Sequence, residues 1–265
     1  MNVLLNSDSL FILGFIGVAV LGLAFGSFAS ALIHRIPQGQ SAWNIKARSA
    51  CPNCDKTLQA KDLVPLLSWL FSKGRCQYCS AVIPKFYPLL EMFGCVMALT
   101  IFYFYQDNFW AERLIITFTV PFLLALIVID LRHKILPNSL VMILAVIGVC
   151  RLASVLWFDV EAGRLMAFES GLGLFIYGVL AWILAFVMEK ALKKPAMGMG
   201  DIKFFAVAGL WLGIANLGMF CIFAGVFGVI LGLFWRKIHK DEAFPFGPAL
   251  IASFFILLCL ESSLL

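Results

Sequence analysis

Long apolar runs recur along most of this chain, and they constrain its fold more than any other feature. Hydrophobic residues make up 62% of the sequence and charged residues only 13%, more apolar surface than a water-soluble domain of 265 residues can bury. Several of the runs approach the ~20 residues that a helix needs to cross a bilayer. The sequence therefore predicts an all-α polytopic membrane protein.

About eight transmembrane helices are predicted, with boundaries good to a few residues. In order, they are Leu10–Ile33, Phe86–Tyr105, Leu114–Ile129, Ile135–Phe158, Gly171–Met188, Phe204–Leu217, Met219–Trp235 and Phe246–Leu260. The sixth is short, and its separation from the seventh is placed at Asn216-Leu217-Gly218. No cleavable signal peptide is expected, because Ser7-Asp8-Ser9 precedes the first run where such a peptide carries basic residues.

The distribution of basic residues predicts the orientation. Four regions share one side of the membrane in this topology: His34–Lys85, Leu131–Lys134, Glu189–Lys203 and Arg236–Pro245. They hold 8, 2, 4 and 3 of the 20 Lys and Arg residues, so this side is predicted to be cytoplasmic. The predicted parts are a first transmembrane helix (1–33), a cytoplasmic loop (34–85) and a transmembrane core (86–265).

Two aspartates fall at the same predicted cytoplasmic edge. Asp130 follows the third apolar run, and Asp201 lies in Gly198-Met199-Gly200-Asp201-Ile202-Lys203. A solvated carboxylate at a helix end is the simpler interpretation for either one alone. Together they predict a catalytic pair, because adjacent carboxyl groups share a proton. One then acts as general base on water while the other polarises a carbonyl. The glycines beside Asp201 would let a substrate chain approach closely.

Four cysteines in the long loop predict a metal centre. Cys51-Pro52-Asn53-Cys54 and Cys76-Gln77-Tyr78-Cys79 are separated by 21 residues. Two such pairs supply four thiolates, the set that tetrahedral Zn²⁺ prefers, and a cytoplasmic loop argues against disulfides. Four protein ligands leave no position for water, so the zinc is expected to be structural. The other cysteines, which fall in predicted spans and are interpreted as small apolar helix residues, are Cys95, Cys150, Cys221 and Cys259.

Short motifs occur in a specific order along nearly the whole chain. They are Gly26-Ser27-Phe28, His34-Arg35-Ile36-Pro37, Arg48-Ser49, Cys51-Pro52-Asn53-Cys54, Val64-Pro65-Leu66-Leu67-Ser68-Trp69-Leu70, Gly74-Arg75-Cys76-Gln77-Tyr78-Cys79, Tyr87-Pro88-Leu89-Leu90-Glu91, Ile129-Asp130, Leu136-Pro137, the Gly-x-Gly-Asp-x-Lys element and Phe246-Gly247-Pro248. This ordered set resembles the type IV prepilin peptidases, the leader peptidase/N-methyltransferase family. The chain departs from the family pattern at two places. Leu136-Pro137-Asn138 stands where the family has Leu-Pro-Asp, and Lys61-Asp62-Leu63 stands where members often have an Asn-Ile pair.

The resemblance implies an aspartic endopeptidase of the bacterial inner membrane, with Asp130 and Asp201 matching the catalytic pair of the family. Such enzymes cut the leader peptide from type IV prepilins and type II secretion pseudopilins at the cytoplasmic face. Members with the four-cysteine loop typically also methylate the new N-terminal residue with S-adenosylmethionine. The sequence identifies no residues that bind this cofactor, since it has no nucleotide-type glycine loop. The expected partners are these substrates and membrane lipid, with no nucleic acid.

Two other functions are compatible with parts of the sequence. Proteases of the presenilin or signal-peptide-peptidase type share Gly-x-Gly-Asp and a Pro-Ala-Leu element, here Pro248-Ala249-Leu250. They have Tyr where Ile129 stands and lack the cysteine loop. An ion transporter with a metal-sensing loop would place carboxylates near the bilayer midplane and show an internal repeat. Neither is seen, and Glu91 is the only other acidic residue within a predicted span.

Overall fold

The computed structural model describes residues 7–39, 49–105, 110–193, 197–238 and 244–261. These residues form ten α-helices, with no strand beyond two isolated β-bridges. The helices are α1 (Ser7–Arg35), α2 (Leu67–Phe71), α3 (Phe86–Phe104), α4 (Trp110–Thr117), α5 (Val120–His133), α6 (Asn138–Phe158), α7 (Val160–Leu192), α8 (Met199–Leu212), α9 (Leu217–Ile238) and α10 (Gly247–Glu261). The predicted all-α class is confirmed. Arg48, a residue of the motif series, lies outside the described residues.

Six segments of the described chain are long and apolar enough to cross a membrane. They correspond to α1, α3, α4 together with α5, α6, α7 and α9. The other two predicted spans correspond to α8 and α10, which have 14 and 15 residues. At 1.5 Å per residue these helices reach only about 21–23 Å, less than the ~30 Å hydrocarbon core. The chain is a multi-pass membrane protein, and eight full spans stay a prediction.

Polar capping moves one helix boundary well away from its predicted position. α7 begins at Val160 rather than at Gly171, because the Asp159 side chain caps it. One carboxylate oxygen of Asp159 accepts hydrogen bonds of 3.0 Å from the backbone N–H groups of Glu161 and Ala162. These bonds satisfy donors that a helix start leaves without partners. The first turns of α7 contain charged residues, so a prediction based on apolar runs places the start of the helix too late.

Two predicted spans are also divided or shortened. The predicted span Leu114–Ile129 contains a break between α4 and α5, since Pro121 in the first turn of α5 has no N–H for a continuous helix. α8 ends at Leu212, earlier than predicted, because Gly213 adopts a φ of 65°. The Asn216 side chain then donates a 2.9 Å hydrogen bond to the Leu212 carbonyl.

The chain divides into two units, residues 1–103 and 104–265. In the first unit, α1 and α3 meet through glycines. A Cβ added to Gly22 would lie 2.7 Å from the backbone of Gly94 and of Cys95, and one added to Gly26 would overlap the backbone of Glu91. Small residues allow membrane helices to approach this closely. The three-part division expected from the sequence stays a prediction.

A buried ion pair joins three helices of the second unit. Arg151 in α6 lies 2.8 Å from Glu112 in α4, and the Arg151 side chain is 3% exposed. The same guanidinium donates to the backbone carbonyl of Trp211 in α8, while the Trp211 indole donates to the Leu144 carbonyl. Burying a charge is costly unless it is paired and hydrogen-bonded, and here it is both. This cluster fixes one end of α8, the helix that carries Asp201 at its other end.

Close packing of α7 on α8 gives a direct test of this arrangement. A Cβ at Gly209 in α8 would overlap the Gly173 backbone and lie 2.8 Å from the Tyr177 ring. We expect Gly209→Leu to destabilise the protein by about 1–3 kcal/mol, because overpacking forces the helices apart. The measurement is thermal unfolding in detergent. Gly225→Leu in α9 is the control, since a Cβ there meets nothing within 4 Å. Equal melting temperatures for the two variants would contradict this packing.

Candidate functional site

Asp130 lies on the last turn of α5, where the structure buries it to 4% exposure. Its Oδ2 accepts a 2.8 Å hydrogen bond from the backbone N–H of Gly247, the first residue of α10. A helix N-terminus carries free N–H groups and a partial positive charge, which favour a carboxylate. A Cβ at residue 247 would lie 2.7 Å from this same oxygen, so any residue other than glycine requires the carboxylate or the start of α10 to shift.

Asp201 is the third residue of α8 and is half-buried. Its Oδ2 accepts a 3.2 Å hydrogen bond from the backbone N–H of Gly198, so the side chain caps its own helix. Gly200 packs against the connection between α5 and α6, where an added Cβ would lie 2.7 Å from the Leu136 carbonyl oxygen. The glycines beside Asp201, which the sequence alone assigns to substrate access, therefore also bring the start of α8 against that connection.

The two carboxyl groups come together in one site. Asp130 lies near enough to Asp201 for its negative charge to disfavour ionisation of the Asp201 carboxyl group. Leu136 contacts the helices on either side of the pair, because it lies against Gly200 of α8, next to Asp201, and against Gly247 of α10, which bonds Asp130. Like charges in a largely buried site favour the form in which one proton is shared by the pair. The arrangement has the parts needed for acid–base chemistry on a bound water molecule.

Lys203, one turn into α8, donates a 2.9 Å hydrogen bond to Asn138 Oδ1 at the start of α6. From sequence, Lys203 is a cation at the membrane interface and Asn138 a departure from the family pattern, with nothing to relate them. The structure connects the two residues. An asparagine keeps the hydrogen bond to the lysine and leaves the positive charge uncompensated by a carboxylate at residue 138.

The four loop cysteines form one cluster in the first unit. The Sγ atoms of Cys51, Cys54, Cys76 and Cys79 all lie within 4.8 Å of one another. Tetrahedral zinc with Zn–S bonds of about 2.3 Å requires sulfur atoms about 3.8 Å apart. Cys51 and Cys79 are separated by 3.8 Å. The donor set and its spacing fit a closed four-thiolate metal centre.

Each cysteine pair lies on the same kind of backbone turn. Asp55 N–H donates to the Cys51 carbonyl and Ser80 N–H to the Cys76 carbonyl, both at 2.9 Å. Asp55 and Ser80 both adopt left-handed φ angles, of 52° and 58°. The antiparallel bridges that flank the turns are Ala50–Thr57 and Arg75–Val82. The repeated turn holds two thiols of each pair on one side, as a shared ion requires.

Local donors prepare one of these sulfur atoms for a metal. The backbone N–H of Ala81 and then the side chain of Asn53, 3.5 Å from Sγ, lower the pKa of Cys79 to about 6. Hydrogen bonds to a thiolate stabilise the charged form, which is the form that binds a metal. Among the described residues, no metal-type cluster includes the remaining cysteines in α3, α6, α9 and α10.

Sequence reasoning misses two contacts that build these sites. The motif Phe246-Gly247-Pro248 is recognised from sequence, but no sequence signal gives Gly247 a role. Sequence reasoning also places Glu91 in a span without a partner. The Glu91 carboxylate, 8% exposed, accepts a 2.8 Å hydrogen bond from the backbone N–H of Leu66 in the cysteine loop.

Comparison with known proteins shows which family the chain belongs to. Residues 20–105 match the bacterial Peptidase A24 N-terminal domain, and residues 117–233 match the type IV leader peptidase family. The chain is 32% identical over 259 residues to the prepilin leader peptidase/N-methyltransferase of Stutzerimonas stutzeri, covering 87% of this chain and 85% of that one.

Further relatives have similar names. One is the type 4 prepilin-like proteins leader peptide-processing enzyme of Escherichia coli O78:H11, which is 32% identical over 86% of this chain and 87% of its own. Another is the prepilin leader peptidase/N-methyltransferase of Legionella pneumophila, 29% identical over 89% and 88%. No solved structure gives a significant match. Together these similarities show that the chain belongs to the type IV leader peptidase family.

Proposed function

We propose that this chain is a prepilin leader peptidase/N-methyltransferase that uses Asp130 and Asp201 as its catalytic pair. It is an integral membrane aspartic endopeptidase that removes the leader peptide from type IV prepilins and type II secretion pseudopilins. It then methylates the new N-terminal residue with S-adenosylmethionine. The observation that carries the peptidase assignment is the pairing of a buried Asp130, held by the N-terminus of α10, with Asp201 at the start of α8.

The chemistry follows from one proton shared between two carboxyl groups. The ionised carboxylate accepts a proton from water, and the resulting hydroxide attacks the scissile carbonyl carbon. The protonated carboxyl group donates its proton to the carbonyl oxygen. Collapse of the resulting gem-diol intermediate breaks the C–N bond: the first carboxyl group gives its proton to the leaving amine, while the second, now ionised, takes a proton back from a gem-diol hydroxyl as the new carboxylic acid forms. Each carboxyl group thus alternates between acid and base, and no covalent enzyme intermediate forms.

The cysteine centre has a structural role in this proposal. Cys51, Cys54, Cys76 and Cys79 would hold one Zn²⁺, which supplies folding free energy to a loop with little apolar core of its own. With four protein ligands, the ion offers no open position to water or substrate. The bound form fixes both cysteine turns against each other.

The distribution of basic residues supports the proposed location. Seventeen of the 20 Lys and Arg residues fall in the regions assigned to one side of the membrane, and the same edge carries Asp130 and Asp201 in that topology. We therefore place the protein in the bacterial inner membrane with its active site at the cytoplasmic face. A prepilin leader stays in the cytoplasm while its apolar helix enters the bilayer, so the scissile bond is presented at this depth.

The acid–base pair is tested by isosteric replacement. Asp130→Asn and Asp201→Asn should each reduce prepilin cleavage at least about 100-fold, because a carboxamide cannot take part in proton transfer. The assay is cleavage of a purified prepilin in detergent, with the products identified by mass spectrometry. Glu161→Gln, the same change at an exposed position of α7, is the control and should cleave normally. Near-normal cleavage by either aspartate variant would exclude that residue from catalysis.

The Gly247 contact predicts a positioning effect. Gly247→Ala places a Cβ 2.7 Å from Asp130 Oδ2, so either the carboxylate or the start of α10 must shift. Cleavage should fall by about tenfold to a hundredfold, because small displacements of a catalytic group are costly. The loss should appear in kcat more than in KM. Gly225→Ala, in open space on α9, should behave as the unaltered protein, and an unaffected Gly247→Ala would contradict the role given to this contact.

Metal content tests the cysteine centre. Purified protein should contain about one zinc per chain, measured by elemental mass spectrometry. Cys51→Ser with Cys76→Ser should lose the metal and expose the loop to limited proteolysis, since metal binding contributes to folding. Cys150→Ser, an exposed cysteine of α6, is the control and should retain it. A double variant that still holds zinc would rule out the proposed ligands.

A further inference from the structure

An exposed apolar ridge lies on the cysteine loop, outside both sites described above. Its residues are Leu63, Val64, Leu67, Leu70 and Phe71, which are 42%, 42%, 50%, 63% and 77% exposed. The segment that carries it includes α2, whose five residues are Leu-Ser-Trp-Leu-Phe. A cluster of apolar side chains of this kind on a water-facing loop marks a contact surface.

The ridge has a fixed inner side as well as an exposed one. The Trp69 indole donates a 3.2 Å hydrogen bond to the Ile83 carbonyl beside the second cysteine turn. Its ring lies against Gly74, where an added Cβ would be 2.9 Å from the ring. With Trp69 directed inward, Leu67, Leu70 and Phe71 are left exposed on α2. Their exposure is thus imposed by the fold of the loop.

A hydrogen bond to α3 sets the depth of the ridge. Leu66, in the middle of this segment, donates its backbone N–H to Glu91 at 2.8 Å. α3 has 19 residues and spans about 28 Å, close to the ~30 Å hydrocarbon thickness, so its first residue lies near the edge of the hydrocarbon core. Glu91 is the sixth residue of α3, about 7–8 Å further along the axis. With α3 crossing the bilayer along its normal, this bond would place the ridge at the level of the lipid headgroups or below.

This connection is rigid at both ends. On the α3 side, Gly26 of α1 packs directly on the Glu91 backbone, where an added Cβ would overlap it. On the loop side, Leu66 adopts a φ of 57°, a conformation that a leucine rarely takes and that the surrounding contacts must maintain.

Charge around the ridge fits the same location. Lys61 and Lys73 flank the apolar segment in sequence, Arg75 follows, and their side chains supply positive charge on both sides of it. Lysine and arginine beside an apolar surface suit the boundary between acyl chains and anionic headgroups, where the charged ends contact phosphates. The single acidic residue between Lys61 and Arg75 is Asp62, whose carboxylate accepts hydrogen bonds from the Gln59 N–H and the Tyr78 hydroxyl, so basic residues outnumber acidic ones in this stretch by three to one.

We propose that the ridge is an interfacial membrane anchor that inserts into the leaflet at the N-terminal end of α3. Its occupant is the lipid bilayer: the apolar side chains contact acyl chains, and the flanking cations contact anionic headgroups. The Glu91–Leu66 hydrogen bond holds the loop at that depth. The cysteine centre is thereby fixed in height and orientation at the membrane surface.

The test is lipid photo-crosslinking of the full-length protein in nanodiscs of phosphatidylethanolamine and phosphatidylglycerol. p-Benzoylphenylalanine replaces Phe71 in one preparation and Gln77, an exposed polar residue of the second cysteine turn, in the other. After irradiation, mass spectrometry should find phospholipid adducts at residue 71 and none above background at residue 77. The experiment is repeated with a prepilin present. Absence of lipid adducts at residue 71, or their replacement by crosslinks to the prepilin, would overturn the proposal.

Variants of Glu91 test whether the Glu91–Leu66 hydrogen bond sets the depth of the ridge, with the photo-crosslinking probe kept at residue 71. Glu91→Ala removes the acceptor for the Leu66 N–H, so the lipid adducts should decrease. Glu91→Gln keeps an acceptor oxygen and should preserve them. Both variants are compared as monodisperse preparations in the same nanodiscs. Equal adduct yields for the two variants would show that the Glu91–Leu66 bond does not set the depth of the ridge.

Discussion

The hydrogen bond from the Gly247 N–H to the buried Asp130 carboxylate connects the parts of the candidate active site. A buried carboxyl group needs donors, and the start of α10 provides one with a favourable helix dipole. The absence of a side chain at residue 247 lets this contact form without a shift of the carboxylate or of α10. Leu136 then lies between Gly247 and Gly200, so the same packing brings α8 and Asp201 to the site. Glycine-dependent contacts, rather than a rigid polar network, hold the pair.

The two units use different means to hold polar chemistry near a membrane. In the second unit, α5 is buried along most of its length, and its carboxylate is satisfied by the backbone of a neighbouring helix. In the first unit, the cysteine loop has little core, and its order depends on the repeated turns around the thiols and on the Glu91–Leu66 bond. A membrane helix supplies the loop with a fixed reference point that a water-exposed segment of this size would lack.

Features that depend on residues close together in the chain, such as apolar runs and the spacing of cysteines, can be predicted from the sequence. Hydropathy identifies the membrane class, and the spacing of Cys51, Cys54, Cys76 and Cys79 identifies the cluster that the structure forms. The charge pattern alone is enough to predict Asp130 and Asp201 at one edge of the membrane. The role of Gly247 cannot be predicted from the sequence, because Gly247 lies 117 residues from Asp130 and no periodicity relates the two residues. The early start of α7 is predictable in principle from Asp159 as a capping residue, but an argument based on apolar runs overlooks it.

In the proposed mechanism, Asp130 and Asp201 act as one unit that shares a proton. The most direct measurement is the pH dependence of kcat/KM for cleavage of a prepilin by the unaltered protein, followed from acid to alkaline pH. A shared proton predicts a bell-shaped profile, because activity requires the singly protonated pair and is lost when both carboxyl groups are protonated or both are ionised. A profile with a single ionisation, rising to a plateau that persists as far as the protein stays folded, would contradict it.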